Sequence, residues 1–117
     1  MNNQDFVDAL KTHVVTAAVD DTIANLAHPP GRRVSEEERT LSDWYNQLSP
    51  GDAANVRKAL AKVSHQAVFG LLAVIDGVRT IDDGTGRFEL TYLAQARTVL
   101  NNPEAPSLHD LLNAVDR

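Results

Sequence analysis

The feature that most constrains this 117-residue chain is an apolar repeat in its middle. Val56, Leu60, Val63, Ala67, Leu71, Val74 and Val78 recur at intervals of 4, 3, 4, 4, 3 and 4 residues. At about 100° per residue they hold within roughly 60° of one line, the signature of a helix face. Ser49-Pro50-Gly51-Asp52 supplies the start: Ser49 as N-cap, Pro50 at the first helical position, and Asp52 facing the unpaired amides of the first turn. From Pro50 to Asp76 such a helix runs about 40 Å. Opposite the stripe lie Lys58, Lys62 and His65, then Phe69, Leu72 and Asp76. The second half is therefore apolar all round, which is tolerable where it is covered all round. Ala67 to Ile75 is expected to be the least exposed part of the chain, with Gly70 admitting another element at close range.

Two helices precede it. Phe6, Leu10, Val14 and Ala17 share one face between Asn3 and Ala27, whereas Val15, Val19, Ile23 and Leu26 lie nearly opposite. Such a helix either bends near Thr16 or packs its halves against different elements. His28-Pro29-Pro30-Gly31 ends it, since proline removes a donor and disfavours helix before it. Ser35 with Glu38 reads as a capping box opening the second helix, whose Leu41, Trp44, Tyr45 and Leu48 form a face expected in the core.

After Asp76-Gly77 the period changes. Asp82-Asp83-Gly84-Thr85-Gly86 is a turn, and Phe88, Leu90 and Tyr92 alternate with Glu89 and Thr91 as in a half-buried strand. Arg97 to Leu100 can return as another strand. Ser107 with Asp110 then caps a short helix through Leu108, Leu111 and Leu112. The expected fold is α+β and mainly helical, a single domain over residues 1–117. Three main helices surround the long central one, with a small antiparallel sheet of two or three strands and a short C-terminal helix.

Composition narrows the function classes. The net charge is −5 and cysteine is absent, which excludes disulfides, thiolate metal sites and a cysteine nucleophile. Residues 1–60 carry six Lys/Arg against nine Asp/Glu, and residues 61–117 five against seven, so neither half offers the positive stripe a nucleic-acid binder needs. The longest nearly unbroken apolar window, Ala67–Ile75, falls well short of the ~20 residues of a membrane span, and no basic stretch precedes an apolar run at the N-terminus. A cytoplasmic protein is expected, without membrane or nucleic-acid partners.

With these segments laid out, the chain resembles a small uncharacterised bacterial family, a domain of unknown function. The resemblance rests on Leu41-Ser42-Asp43-Trp44-Tyr45-Asn46, on the block from Ala67 to Arg79, and on Leu108-His109-Asp110-Leu111-Leu112-Asn113, with Phe88-Glu89-Leu90 and Leu100-Asn101 between them. It covers about Pro29 to the C-terminus. The family carries no established activity, and the resemblance implies a bacterial cytosolic origin and no more.

Candidate chemistry is sparse. His13, His28, His65 and His109 show no helical ligand spacing, so neither metal nor cofactor is expected. His65 and Asp76 lie about 16 Å apart along the central helix, too far for a dyad. Asp76 and Arg79 read either as a helix end, with Gly77 as the left-handed residue after it, or as a polar pair on a cleft floor between helix and sheet. Asp82, Asp83 and Glu89 form a candidate protein-binding surface for a basic partner. The reading is a non-enzymatic, protein-binding domain whose small size and acidity are those of an immunity-type protein. The alternatives are a small enzyme or ligand binder with its pocket at the helix–sheet junction, or a structural protein that forms homo-oligomers.

Overall fold

The Ser49 hydroxyl accepts the Asp52 N–H at 3.1 Å, and the central helix, α4, begins at Pro50 as the sequence demands. In the computed structural model, which describes residues 1–114, the elements are α1 (Asn3–Leu10), a π-helical segment (Lys11–Thr16), α2 (Ala17–Ala27), α3 (Glu36–Asn46), α4 (Pro50–Ile75), β1 (Thr91–Leu93), β2 (Arg97–Val99) and α5 (Leu108–Asn113). The mainly helical α+β architecture is the one expected. The sheet is a two-stranded antiparallel hairpin, with Thr91 opposite Val99 and Leu93 opposite Arg97. The alternating segment enters it only from Thr91, leaving Phe88 exposed in the approach.

The N-terminal rod resolves its shifted stripe by changing helix type. Leu10 and Val15 are both half-buried although five residues apart, while Val14 between them is exposed. A π turn, bonded i to i+5, brings such positions into line. Past it, α2 contacts α3 and α4, whereas α1 contacts α5. The two halves do serve different neighbours. The Ser64 hydroxyl of α4 donates to the Val15 carbonyl at 2.7 Å, giving an acceptor at the π-to-α change a partner.

At the far end of α4, Asp76 is the C-cap and Gly77 takes φ 84°. Val78 N–H bonds Ala73 O at 3.0 Å and Gly77 N–H bonds Val74 O at 3.1 Å, a Schellman ending. Arg79 then folds back so that its guanidinium lies where a side chain on Gly70 would be. The element that Gly70 admits is thus the chain just beyond its own helix.

The core differs from expectation in which side of α4 it uses. Val7, Leu72, Leu108 and Leu112 form its buried centre, with Phe6, Leu10, Val68 and Phe69 packed around it. Leu72 is 1% exposed, whereas Leu71 and Val63, on the expected core stripe, are 60% and 65% exposed. The reason is that the second half of α4 carries two apolar lines, and α1 and α5 close on the one through Phe69 and Leu72. The expectation that Ala67–Ile75 is covered all round therefore fails at Leu71. The face of α3 fails similarly, with Trp44 49% exposed. Instead α3 meets α2 through buried Ser42 and through Asn46, which donates to the Ala27 carbonyl at 3.0 Å and so caps α2.

These departures leave an open molecule. Its radius of gyration is 18.1 Å, against about 13 Å for a compact domain of this length. It exposes 8614 Å², about 2,300 Å² more than the scaling with mass gives for a 12.8 kDa monomer. Counted by average apolar character rather than by unbroken run, α4 is also long and apolar enough to cross a membrane, over an eighteen-residue window of which 17% is buried. That window includes Lys62, His65 and Gln66.

Candidate functional site

Two places on the surface are built well enough to be weighed as sites. The first is the helix–sheet junction. Asp76, at the end of α4, has a side chain 5% exposed and accepts from His109 twice: the backbone N–H at 2.9 Å and ring Nδ1 at 2.6 Å. Because an ionised carboxylate can only accept, Nδ1 carries the proton of that bond. His109 lies at the start of α5, so Asp76 supplies from 33 residues away the N-terminal cap that Ser107 was expected to give. The Ser107 hydroxyl instead donates to Asp110 Oδ2 at 2.7 Å. Asp110 Oδ1 stands 3.4 Å from the other His109 nitrogen.

Aromatic contacts fix the same joint from the side. Phe69 meets the His109 ring edge-on at 5.6 Å and stacks with His65 at 6.4 Å. His65 Nε2 donates to Asn113 Oδ1 at 2.7 Å. Asn101 ties the hairpin in. Its Oδ1 accepts the Leu90 N–H at 2.8 Å, and its amide donates to the carbonyls of Ile75 at 3.0 Å and Phe88 at 2.8 Å.

An open cleft of about 340 Å³ lies over this joint, lined by Asp76, Arg87, Asn101, Ser107, His109 and Asp110 among others. Both ring nitrogens of His109 face carboxylates, and Ser107 is bonded to Asp110 and not to the imidazole, so the base–nucleophile contact of acyl transfer is missing here. No group of three His, Asp or Glu side chains is placed to hold a metal ion among the described residues.

The other expected site residues disperse. Arg79 lies over Gly70 and lines a separate hollow of about 240 Å³, so it does not share a cleft floor with Asp76, and no ion pair joins the two among the described residues. Asp82 bends onto its own turn, accepting the Gly84 N–H at 3.1 Å. Glu89 accepts the Thr91 hydroxyl at 2.9 Å and has Arg97 at 3.8 Å. Arg79 and Arg87 line the same hollow as Asp82. Asp82, Asp83 and Glu89 are thus interleaved with three arginines, which weakens any acidic field at this end.

The second place is a groove of about 330 Å³ between the N-terminal rod and α4. Val14, Ala18 and Thr22 form one wall, and Leu60, Val63 and Ala67 the other. Beyond it the exposed ridge of α4 continues through Leu71. Arg57 and Asp20 pair at 2.9 Å between α4 and α2. Sequence reasoning found this stripe but assigned it to the core. Asn101 and the Asp76–His109 pair it missed altogether, since their partners are 11 to 33 residues distant and no local pattern announces them.

No family model, curated protein or solved structure matches the chain. Its function has to be read from these residues.

Proposed function

We propose that this chain is a non-enzymatic protein-interaction domain whose working surface is the groove between the rod and α4, together with the exposed ridge beside it. One observation carries the reading. Val63 and Leu71, each at least 60% exposed, lie on a regular apolar line of a helix whose other line already forms the core. A contiguous apolar strip of this kind on a water-facing helix marks a surface that another macromolecule covers. The strip is about one helix face wide, which suits a packed helix.

The surface is apolar, and it is a different one from the acidic surface expected at Asp82, Asp83 and Glu89. The joint at Asp76 and His109 supports the same reading from the other side, because its polar groups are engaged with one another and hold α5 against α4. A photo-reactive phenylalanine analogue placed at Val63 tests the proposal in cells. Covalent adducts to protein are expected on illumination. Adducts to lipid alone, or none at all, would refute it.

A further inference from the structure

We propose that Asp83 and Gly84 form a site of spontaneous covalent modification, at which the Asp83 carboxyl closes on the Gly84 nitrogen and reopens as isoaspartate. The site lies on the loop beyond α4, apart from the apolar groove and its ridge. It gives the acidic turn a chemistry that does not depend on a binding partner.

The chain contains two Asp-Gly pairs, Asp76-Gly77 and Asp83-Gly84. In both, the nitrogen that follows the carboxyl is uncrowded, because glycine has no Cβ beside it. The fold treats the two pairs oppositely. Ring closure brings Cβ of the aspartate and the next nitrogen nearly into eclipse about the Cα–C bond. Asp76, with ψ −11° at the end of α4, is held far from that rotation. Its carboxylate accepts two bonds from His109, and the Gly77 N–H is bonded to Val74 O at 3.1 Å. All of these must open before Asp76 can react.

Asp83 has none of these restraints. Every residue from 77 to 89 is exposed, and Asp83 lies in no helix or strand. Among the described residues its carboxyl has no hydrogen-bond or ion-pair partner. The Gly84 nitrogen, by contrast, has a base beside it. Its N–H donates to Asp82 Oδ1 at 3.1 Å, within the reach that proton transfer needs. Both oxygens of Asp82 lie against Gly84, 3.4 and 3.3 Å from where a Cβ would stand. The Asp82 carboxylate therefore rests on the one amide that has to lose its proton.

The step balances without an oxidant or a cofactor. The Gly84 nitrogen attacks Cγ of the protonated Asp83 carboxyl, so that a C–N bond forms and the C–OH bond breaks. The amide proton passes through Asp82 to the departing hydroxyl, which leaves as water. A five-membered imide results, and water then adds to one of its two carbonyls. Breaking the Cγ–N bond restores aspartate. Breaking the bond between the nitrogen and the former main-chain carbonyl leaves the chain running through the side chain, as isoaspartate. The product has the same composition as the parent, and the enzyme class that would consume it is a methyltransferase that esterifies isoaspartyl carboxyls.

Trypsin separates the two pairs: residues 63–79 carry Asp76, and residues 80–87, ending at Arg87, carry Asp83. The full-length protein is aged folded in warm neutral buffer made with heavy-oxygen water, then digested. The 80–87 peptide is expected to split into two isomers, the new one holding one oxygen from the water and accepting a methyl group from isoaspartyl methyltransferase. The 63–79 peptide is expected to stay single in the folded protein and to isomerise alongside 80–87 in urea. Asp82→Ala is expected to slow the change by at least about tenfold, the loss of a positioned base, with the circular dichroism of the parent. Gly84→Ala, which crowds the nitrogen, is expected to slow it as well. Four results would overturn the proposal: no new isomer of 80–87, fragmentation that places it at Asp82, equal isomerisation of Asp76 in the folded protein, or an Asp82→Ala variant as fast as the parent or faster.

Discussion

At the scale of single residues, the positions that decide the fold are polar ones. Asn101 satisfies one N–H and two carbonyls from two separate stretches of chain, Phe88 to Leu90 and the end of α4 at Ile75. Asn101→Ala leaves all three groups without this partner, two of them in part-buried bonds. The expected cost is about 1–3 kcal/mol, the desolvation penalty of groups left unpaired. Urea titration at constant protein concentration measures it, and a loss under about 0.5 kcal/mol would mean that water replaces the side chain. Why Asn101 escapes notice in the sequence while Ser49 and Gly77 do not is a matter of distance along the chain. A cap bonds the backbone three residues on, and a Schellman glycine closes on its own last turn, so both act within a window that local pattern covers. The forward bond from Ser35 to the Glu38 N–H formed for the same reason. Ser107 departed from its expected role because Asp76, unseen at that range, reached the same amides first.

At the scale of elements, the periodic signal located every helix, and in α3 and α4 it missed the face that turns inward. In α4 two apolar lines run side by side, and periodicity ranks them by regularity, whereas packing chooses by which neighbours arrive. The neighbours are α1 and α5, whose Val7, Leu108 and Leu112 close on Leu72. In α3 the apolar face is real, but Ser42 and Asn46 dock on the end of α2 and turn Trp44 outward. The π segment shows the reverse. The displaced stripe at Leu10 and Val15 was visible, and only the device that absorbs the displacement was not. The two lines of α4 make opposite predictions for adjacent leucines. Leu72→Ala opens a cavity in the core and is expected to cost about 2–5 kcal/mol at any protein concentration. Leu71→Ala removes an exposed side chain from the single chain. Its cost is expected to be under about 1 kcal/mol. Denaturant titrations of the two variants separate the lines. A loss at Leu71 as large as that at Leu72 would place Leu71 in the core after all.

At the scale of the whole molecule, stability is unevenly distributed. The core around Leu72 draws on α1, α4 and α5, and the Asp76–His109 pair and Asn101 fasten the hairpin and α5 to the same end of α4. α3 stands apart from this. It packs on α2, its exposed Leu41 and Trp44 contribute little burial, and among the described residues its polar attachment is to one carbonyl, that of Ala27. Segments with few buried apolar contacts open without unfolding the rest, and their amides exchange through those openings. Hydrogen exchange should therefore resolve two levels. The amides of α3 and of the Thr80–Gly86 loop are expected to exchange first, through openings that leave α4 intact. Those from Val68 to Ile75 are expected to exchange last, at the rate set by global unfolding. Equal protection of α3 and the second half of α4 would show instead that the rod, α3 and α4 unfold as one cooperative unit, with the contacts of Ser42 and Asn46 far stronger than their exposure suggests.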